Sequence, residues 1–367
     1  MFTKIKAFCK KEIVFTIAAL CAVVTVFLVP PDREYLHYID FRVLCLLLCL
    51  MAVVAGFKKV SAFQVLTFQL LRRIRSGRLL GLTLVLLPFF SSMLVTNDVA
   101  LLVFVPFTMA LLRQLGSEKS IIPILVLQTI GANLGSMATP VGNPQNLYLY
   151  AAYGLTPGAF FSVVLPLTTI SLVCLALSSL WFLPRKLPEQ KLSEASIHSI
   201  PTLLVCAGLF VLCLLTVFRV IPYPITTGVV IALFLLLDKS VLKEVDYMLL
   251  LTFVCFFVVS ENLGRVDAVR EFLQSLLHRD PLLTAVGASQ VISNVPAAVL
   301  LSSFTDSWQK LLAGVNIGGL GTPIASLASL ITLKLYMAQP GAKVGKFLLV
   351  FTAANLIGLG ILLMFAL

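Results

Sequence analysis

The sequence predicts an all-α polytopic membrane protein that contains two inverted repeats. Of the 367 residues, 59% are hydrophobic and 12% are charged, and the mean hydropathy is +1.04. A soluble domain of this length needs more polar surface. The apolar residues fall in runs of about 17–25, long enough to cross a hydrocarbon core of about 30 Å as helices. Two of these runs carry the same interrupting segment.

The duplicated segment spans 131–147 and recurs at 314–330, which is 183 positions later (131 to 314). Four pairs stand in register: Asn133 with Asn316, Gly135 with Gly318, Thr139 with Thr322, and Pro140 with Pro323. Small residues and proline interrupt a helix, and paired interruptions of this kind indicate the binding site of a transporter.

Hydropathy predicts continuous and interrupted crossings along the chain. The continuous helices are expected at 12–30, 38–57, 157–183, 200–218, 224–238, 246–260 and 346–366. Broken helices are expected at 121–153 and 313–337, and the basic segment 56–78 is expected to lie along the membrane surface.

Two further apolar stretches, 79–112 and 282–304, are interrupted by polar residues and fit either a full crossing or a re-entrant hairpin. With a cytoplasmic N-terminus and two hairpins, the loops at 1–12, 57–78, 112–120, 184–199, 238–246 and 334–346 face the cytoplasm. Those loops hold 20 of the 27 Lys and Arg residues. The positive-inside rule therefore favours hairpins in a multi-pass protein of the inner cell membrane.

This topology divides the chain into two units of opposite orientation. The first repeat is 1–183, with a hairpin at 79–112; a linker region spans 184–223; the second repeat is 224–367, with a hairpin at 282–311. Inverted repeats are common in secondary transporters.

The candidate substrate- and ion-binding residues lie at the four interruptions. A half-helix that begins presents free N–H groups that suit an anion, and one that ends presents carbonyl oxygens that suit Na⁺ or H₃O⁺. The candidates are Thr96, Asn97, Asp98, Asn133, Gly135, Thr139, Pro140, Asn143, Ser293, Asn294, Asn316, Gly318, Thr322 and Pro323. The alternative for each interruption is an ordinary helix cap or a proline at a helix start.

Asp98 is the only acidic residue predicted at membrane depth. A carboxylate there costs about 2.5–3.5 kcal/mol on insertion scales, so Asp98 is a candidate proton carrier. The alternative is a carboxylate that caps a half-helix. The corresponding residue of the second tip is Val295.

The Thr96-Asn97-Asp98 and Ser293-Asn294-Val295-Pro296 tips and the two Asn-x-Gly…Thr-Pro segments resemble the ion transporter superfamily over essentially the whole chain. That superfamily includes divalent-anion/sodium symporters, citrate-type carriers, arsenite permeases and some sodium/proton antiporters. The resemblance implies an elevator-type homodimer, with Na⁺ at the Asn97 and Asn294 tips. The symporter tips read Ser-Asn-Thr, so Asp98 and Val295 make this chain more similar to the citrate and arsenite branches.

The sequence thus predicts a secondary active transporter of a small anion, a carboxylate such as citrate or a dicarboxylate, or an oxyanion, coupled to H⁺ or Na⁺. The alternatives are an arsenite efflux permease and a Na⁺/H⁺ antiporter that uses Asp98. An intramembrane enzyme is disfavoured because the three histidines fall in loops. A channel is disfavoured by the inverted hairpins. No cofactor and no nucleic acid partner are expected; the partners expected are the anion, the bilayer and a second copy.

Overall fold

The computed structural model describes residues 12–72, 74, 76–183 and 196–367, where all regular secondary structure is helical. The predicted all-α membrane fold is confirmed. Among the described residues, six helices are long and apolar enough to cross a membrane: Phe41–Lys59, Asn97–Gln114, Pro157–Ser179, Ile200–Val217, Tyr247–Gly264 and Val344–Ala366. The basic residues predicted to face the cytoplasm at 1–11, 73, 75 and 184–195 lie outside the described ranges.

The N-terminal half contains the first hairpin and the first broken helix. Its helices are Ile13–Leu28, Phe41–Lys59, Ala62–Leu71, Gly77–Ser91, Asn97–Gln114, Ile121–Ser136, Pro144–Ala152 and Pro157–Ser179, with 3₁₀ turns at Arg33–His37 and Glu118–Ser120. The two helices on either side of the 92–96 turn contact each other, as in a hairpin.

The C-terminal half repeats this order after the helix Ile200–Val217. Its helices are Tyr223–Leu237, Ser240–Lys243, Tyr247–Gly264, Asp267–Arg279, Pro281–Ile292, Asn294–Ser302, Trp308–Ile317, Leu327–Met337 and Val344–Ala366. Asp40 accepts a hydrogen bond from the Val43 N–H (3.0 Å), and Asp246, 206 positions later, accepts one from the Leu249 N–H (2.9 Å). The two long helices therefore begin with the same side-chain cap.

Three boundaries differ from the prediction. Residues 308–311, assigned to the second hairpin, belong to the half-helix Trp308–Ile317. The helix predicted to end at 260 runs to Gly264 and so includes Glu261. The helix Asp267–Arg279 was not predicted, because it is too short and too charged to be identified as a membrane crossing. It follows the helix Tyr247–Gly264 as Ala62–Leu71 follows Phe41–Lys59 in the first half.

Glycines bring each broken helix against the first helix of its hairpin. A Cβ on Gly135 would lie 2.1 Å from the Phe89 carbonyl oxygen, and one on Gly318 would lie 2.7 Å from Ser289 Oγ. Such contacts are too short for any side chain. Each hairpin and its broken helix are therefore packed at backbone distance.

Ion pairs join the ends of the long helices to loops of the other half. Lys59 pairs with Asp238, and Arg265, 206 positions after Lys59, pairs with Asp32 at 2.6 Å. The hydrogen bond from Lys59 lowers the pKa of Asp238 to about 2, and the one from Arg265 lowers the pKa of Asp32. Both carboxylates are therefore charged at neutral pH.

Candidate functional site

Both hairpin tips are tied to their broken helices by the same backbone bond. The Asn97 N–H donates to the Gly142 carbonyl (3.3 Å), and the Asn294 N–H donates to the Ala325 carbonyl (2.9 Å). Asn97 and Asn294 are 197 positions apart, and Gly142 and Ala325 are 183 apart, which is the spacing of the sequence repeat. The two tips are thus held in equivalent places.

The threonines of the two breaks make a second matched bond. Thr139 Oγ1 donates to the Met93 carbonyl (2.5 Å), and Thr322 Oγ1 donates to the Gln290 carbonyl (3.2 Å). Each hydroxyl hydrogen is directed at the hairpin backbone. The hydroxyl groups of Thr139 and Thr322 therefore each link a break to its own hairpin by one hydrogen bond.

A buried cluster of amides lies where the two halves meet. Asn133 Oδ1 accepts from Asn97 Nδ2 and from Ser326 Oγ, each at 2.9 Å. Asn143 Nδ2 donates to Asn316 Oδ1 (3.2 Å), and Asn316 Nδ2 donates to Asn146 Oδ1 (2.7 Å). Buried amides are stable only when bonded, so this cluster fixes the two breaks against each other.

The contacts between the halves have the register of the repeat. Asn133 corresponds to Asn316, and Asn143 corresponds to Ser326, each 183 positions later. The Asn143–Asn316 bond and the Ser326–Asn133 bond are therefore the same contact made in both directions. Asn133, Asn143 and Asn316, all predicted site residues, come together in this cluster.

Asp98 is separate from the amide cluster. Its backbone N–H bonds to Asn97 Oδ1 (3.0 Å), while its own Oδ1 is buried and has no hydrogen-bond partner among the described residues. A capping carboxylate would accept an N–H from the helix it begins. The buried oxygen accepts none, and Asp98 instead lines a cavity.

That cavity, which we call the first cavity, has a volume of about 570 Å³ and extends from Thr96 and Asp98 to the ends of the long helices. Its described lining carries four carboxylates and one ammonium group: Glu12, Asp98, Glu244, Asp246 and Lys58. Lys58 lies 3.6 Å from Glu244. With Glu244 paired to Lys58, Asp98 and Asp246 make the described lining acidic, which favours cations and disfavours a bare anion.

The remaining predicted residues fall into three environments. Gly135 and Gly318 are packing contacts with no space for a ligand. Pro140 is buried, whereas Pro323 is half-buried and Thr322 is exposed. At the second tip, Asn294 is buried against Gly319, and Ser293 has φ 72° and ψ 155°, a backbone conformation that favours glycine.

Three side chains at the site were not predicted. Ser326 and Asn146 belong to the amide cluster, and Gln290 Nε2 donates to the carbonyls of Gly318 and Leu320, each at 2.9 Å. Ser326 could have been found from the register, because it stands 183 positions after Asn143. Across the described part of the chain, no group of three or more His, Cys, Asp and Glu residues is placed to hold a metal.

A family model described as citrate transporter matches residues 5–313. The chain belongs to the citrate transporter family. This family member is 32% identical over 318 residues to an uncharacterized transporter of Methanocaldococcus jannaschii, with 86% of each chain covered. It is 32% identical over 326 residues to inner membrane protein YbiR of Escherichia coli, covering 88% of this chain and 87% of the relative.

A shorter match, 34% identical over 113 residues, links this citrate transporter family member to a silicon efflux transporter of Oryza sativa; it covers 30% of this chain and 22% of the relative. The family, the Methanocaldococcus jannaschii relative and the Oryza sativa relative carry the names of transporters and not of enzymes. The protein is therefore a membrane transporter, in agreement with the resemblance seen in the sequence.

Proposed function

We propose that this protein is a secondary active transporter that couples a small carboxylate or oxyanion to H⁺ or Na⁺, with Asp98 carrying the coupling ion. The observation that carries the proposal is the buried Asp98 oxygen, which has no partner among the described residues and stands on the first cavity. An unpaired carboxylate at membrane depth is costly, and a bound cation or proton removes that cost.

The acidic lining of the first cavity supports a further restriction on the substrate. A bare polyanion would be repelled by Asp98 and Asp246, whereas a protonated or cation-bound form would not. We therefore infer that the substrate enters with its negative charge neutralised, and that the coupling ion accompanies it for this reason.

Export of a small oxyacid is the second candidate. The partial match to a silicon efflux transporter supports it, and arsenite efflux belongs to the same class of chemistry. Because an undissociated oxyacid has no charge, the acidic cavity admits it. A Na⁺/H⁺ antiporter that uses Asp98 remains the alternative without any anion.

The membrane, the side of the N-terminus and the oligomeric state are proposed from the sequence and from the names of the relatives. The basic loops favour a cytoplasmic N-terminus, and one relative is named an inner membrane protein. We propose the same membrane for this chain, with two inverted repeats that move as an elevator within a homodimer. The matched hydrogen bonds of the two halves support the repeat.

Ligand binding by the purified protein tests the proposal. Citrate, succinate, phosphate, sulfate, arsenite, silicic acid and Na⁺ are added at two pH values while the melting temperature is measured. A ligand at 100 times its Kd stabilises the folded state by about 2.7 kcal/mol. We expect a carboxylate or oxyacid to raise the melting temperature in a manner that depends on pH or Na⁺.

Asp98→Asn keeps the size of the side chain and removes its charge, so the stabilisation by that ligand should lose its dependence on pH or Na⁺. Glu271→Gln, an exposed position on the helix Asp267–Arg279, is the matched control and should behave as the wild type. An unchanged dependence in Asp98→Asn would remove Asp98 from the coupling mechanism.

A further inference from the structure

A second cavity, of about 280 Å³, lies between the start of the helix Phe41–Lys59 and the end of the helix Tyr247–Gly264. Asp40, Ser260 and Glu261 are among its lining residues. Glu261 belongs to a long apolar helix, and none of the contacts described above gives it a role in the site.

The two cavities have corresponding linings. Equivalent residues of the two halves are 206 positions apart in the long helices, 197 in the tips and 183 in the breaks. Residues that line the second cavity correspond to residues that line the first at these same spacings. The pairs are Asp40 with Asp246, Ser260 with Val54, Val299 with Leu102, and Tyr148 with Ile331. The second cavity is therefore the repeat counterpart of the first.

The cavities differ in how far they reach. The first includes Thr96 and Asp98 of its tip, whereas no second-tip residue is among the described residues that line the second. Tyr148 and Phe257 stand in the second lining with ring centroids 5.7 Å apart, and the Tyr148 hydroxyl is bonded to Ser302 Oγ at 2.8 Å. These rings make the second cavity the shallower one.

The charged groups around Glu261 determine the sign of the electrostatic potential in the second cavity. Its described titratable lining consists of His37, Tyr38, Asp40, Tyr148 and Glu261. Arg265, one turn beyond Glu261, donates to the Tyr38 hydroxyl (2.8 Å) and is paired with Asp32 and Glu34. With that guanidinium paired, and with Arg42 near enough to Asp40 to act on it electrostatically, Glu261 is the lining carboxylate that no described cation neutralises, and the potential beside it is negative.

We propose that the second cavity is the vestibule of the transport pathway on the face opposite to the first cavity, and that Glu261 makes it select small cations. This inference rests on the proposed function only in taking the cavity at Asp98 as the transport pathway. The coupling ion then meets a carboxylate on each side: Asp98, on a hairpin, and Glu261, on a long helix. The two carboxylates are not repeat counterparts, because Ala55 stands in register with Glu261.

Charged thiol reagents that do not cross membranes test the vestibule without any knowledge of the substrate. Ala152→Cys in the second lining and Tyr247→Cys in the first, both at exposed positions, are labelled in sealed vesicles of each orientation, with the unsubstituted chain as background. We expect the two cysteines to react from opposite faces. His37→Cys, another exposed position in the second lining, replaces Ala152→Cys if that variant does not fold.

The sign of the electrostatic potential in the vestibule is measured by comparing the labelling rates of a cationic and an anionic methanethiosulfonate reagent of similar size. Relative to the same ratio for a small thiol in free solution, the cationic reagent should label Ala152→Cys about sevenfold faster, as a potential of about one kT per unit charge requires for reagents of charge +1 and −1. Glu261→Gln should reduce that ratio several-fold, while Glu271→Gln, away from the cavity, should leave it unchanged.

Labelling of both cysteines from one face, no labelling of either Ala152→Cys or His37→Cys, or a ratio at or below that of the small thiol in free solution would each overturn the inference. These failures are distinct from failure of the proposed function. Absence of any ligand in the thermal measurement, together with the expected labelling, would leave the vestibule in place and reject the substrate class.

Discussion

The two tips and breaks share the same pattern of hydrogen bonds and differ in chemistry. In both halves the asparagine of the tip bonds to a carbonyl of the break, and the threonine of the break bonds to a carbonyl of the hairpin. The first break is buried and carries Asn143, whereas the second is exposed at Thr322 and carries Ser326. The part of the site that the two halves share is therefore the set of hydrogen bonds that hold each tip against its break.

The unpaired charge lies in one half alone. Asp98 at the first tip corresponds to Val295, which is buried and apolar, at the second. Asp98 is the residue that we propose to carry the coupling ion, so the proposed mechanism has its carboxylate on one tip. The comparison teaches that the two halves share matched hydrogen bonds and differ in chemistry at a few positions.

The largest expected effect concerns the glycine contacts. Gly135→Ala should lower the unfolding free energy by about 3 kcal/mol or more, because its Cβ would meet backbone oxygen of Phe89 at 2.1 Å. Gly318→Ala should cost about 1–3 kcal/mol, since its contacts are at 2.7 Å or more. Thermal unfolding in detergent measures both variants.

Gly208→Ala is the control for this pair. Gly208 lies inside the helix Ile200–Val217 and has no described atom within 4 Å of an added Cβ. Alanine there should raise stability by up to about 1 kcal/mol through helix propensity. Equal melting temperatures for Gly135→Ala and Gly208→Ala would reject the close packing of the first hairpin.

A smaller effect is expected at the contact between the halves. Asn143→Ala removes the donors to Asn316 and Ser136 and the cap of the Asn146 N–H, and should cost about 2–3 kcal/mol. Ser326→Ala removes one bond and should cost about 1 kcal/mol. Each variant removes one hydrogen bond between the halves, so the difference between their costs comes from the two bonds that Asn143 makes within the first half.

Double-mutant cycles isolate the two contacts. Asn143→Ala with Asn316→Ala, and Ser326→Ala with Asn133→Ala, should each show a coupling of about 0.5–3 kcal/mol in unfolding measurements. Additive effects in both cycles would mean that the halves are held together elsewhere.

The smallest expected effect is a change in stability that has opposite signs at the two tips. Ser293 has φ 72° whereas Thr96 has φ −60°. Ser293→Gly should raise stability by about 1 kcal/mol through relief of strain, less the bond of its hydroxyl to the Ala325 carbonyl (3.3 Å). Thr96→Gly should lower stability by about 0.5–1 kcal/mol. Melting temperatures that shift in the same direction would contradict this difference.

The sequence predicted the apolar helices and the four interruptions because hydropathy and helix-breaking residues are local signals. It did not predict the partner of Asn143, since Asn316 is 173 positions away and meets it only through packing of the halves. It also assigned Gly135 to the binding site, because the absence of a side chain suits a ligand and a helix contact equally. Glu261 was missed because hydropathy ended its helix too early.

The amide bonds between the halves have a consequence for biosynthesis. When the ribosome has completed the first unit, Asn133 and Asn143 are already within membrane segments, but their partners Asn316 and Ser326 lie in the last sixth of the chain. Within the first unit, Asn133 already accepts from Asn97 and Asn143 already donates to Ser136. These local bonds satisfy part of each buried amide while the bonds to the second half are still missing.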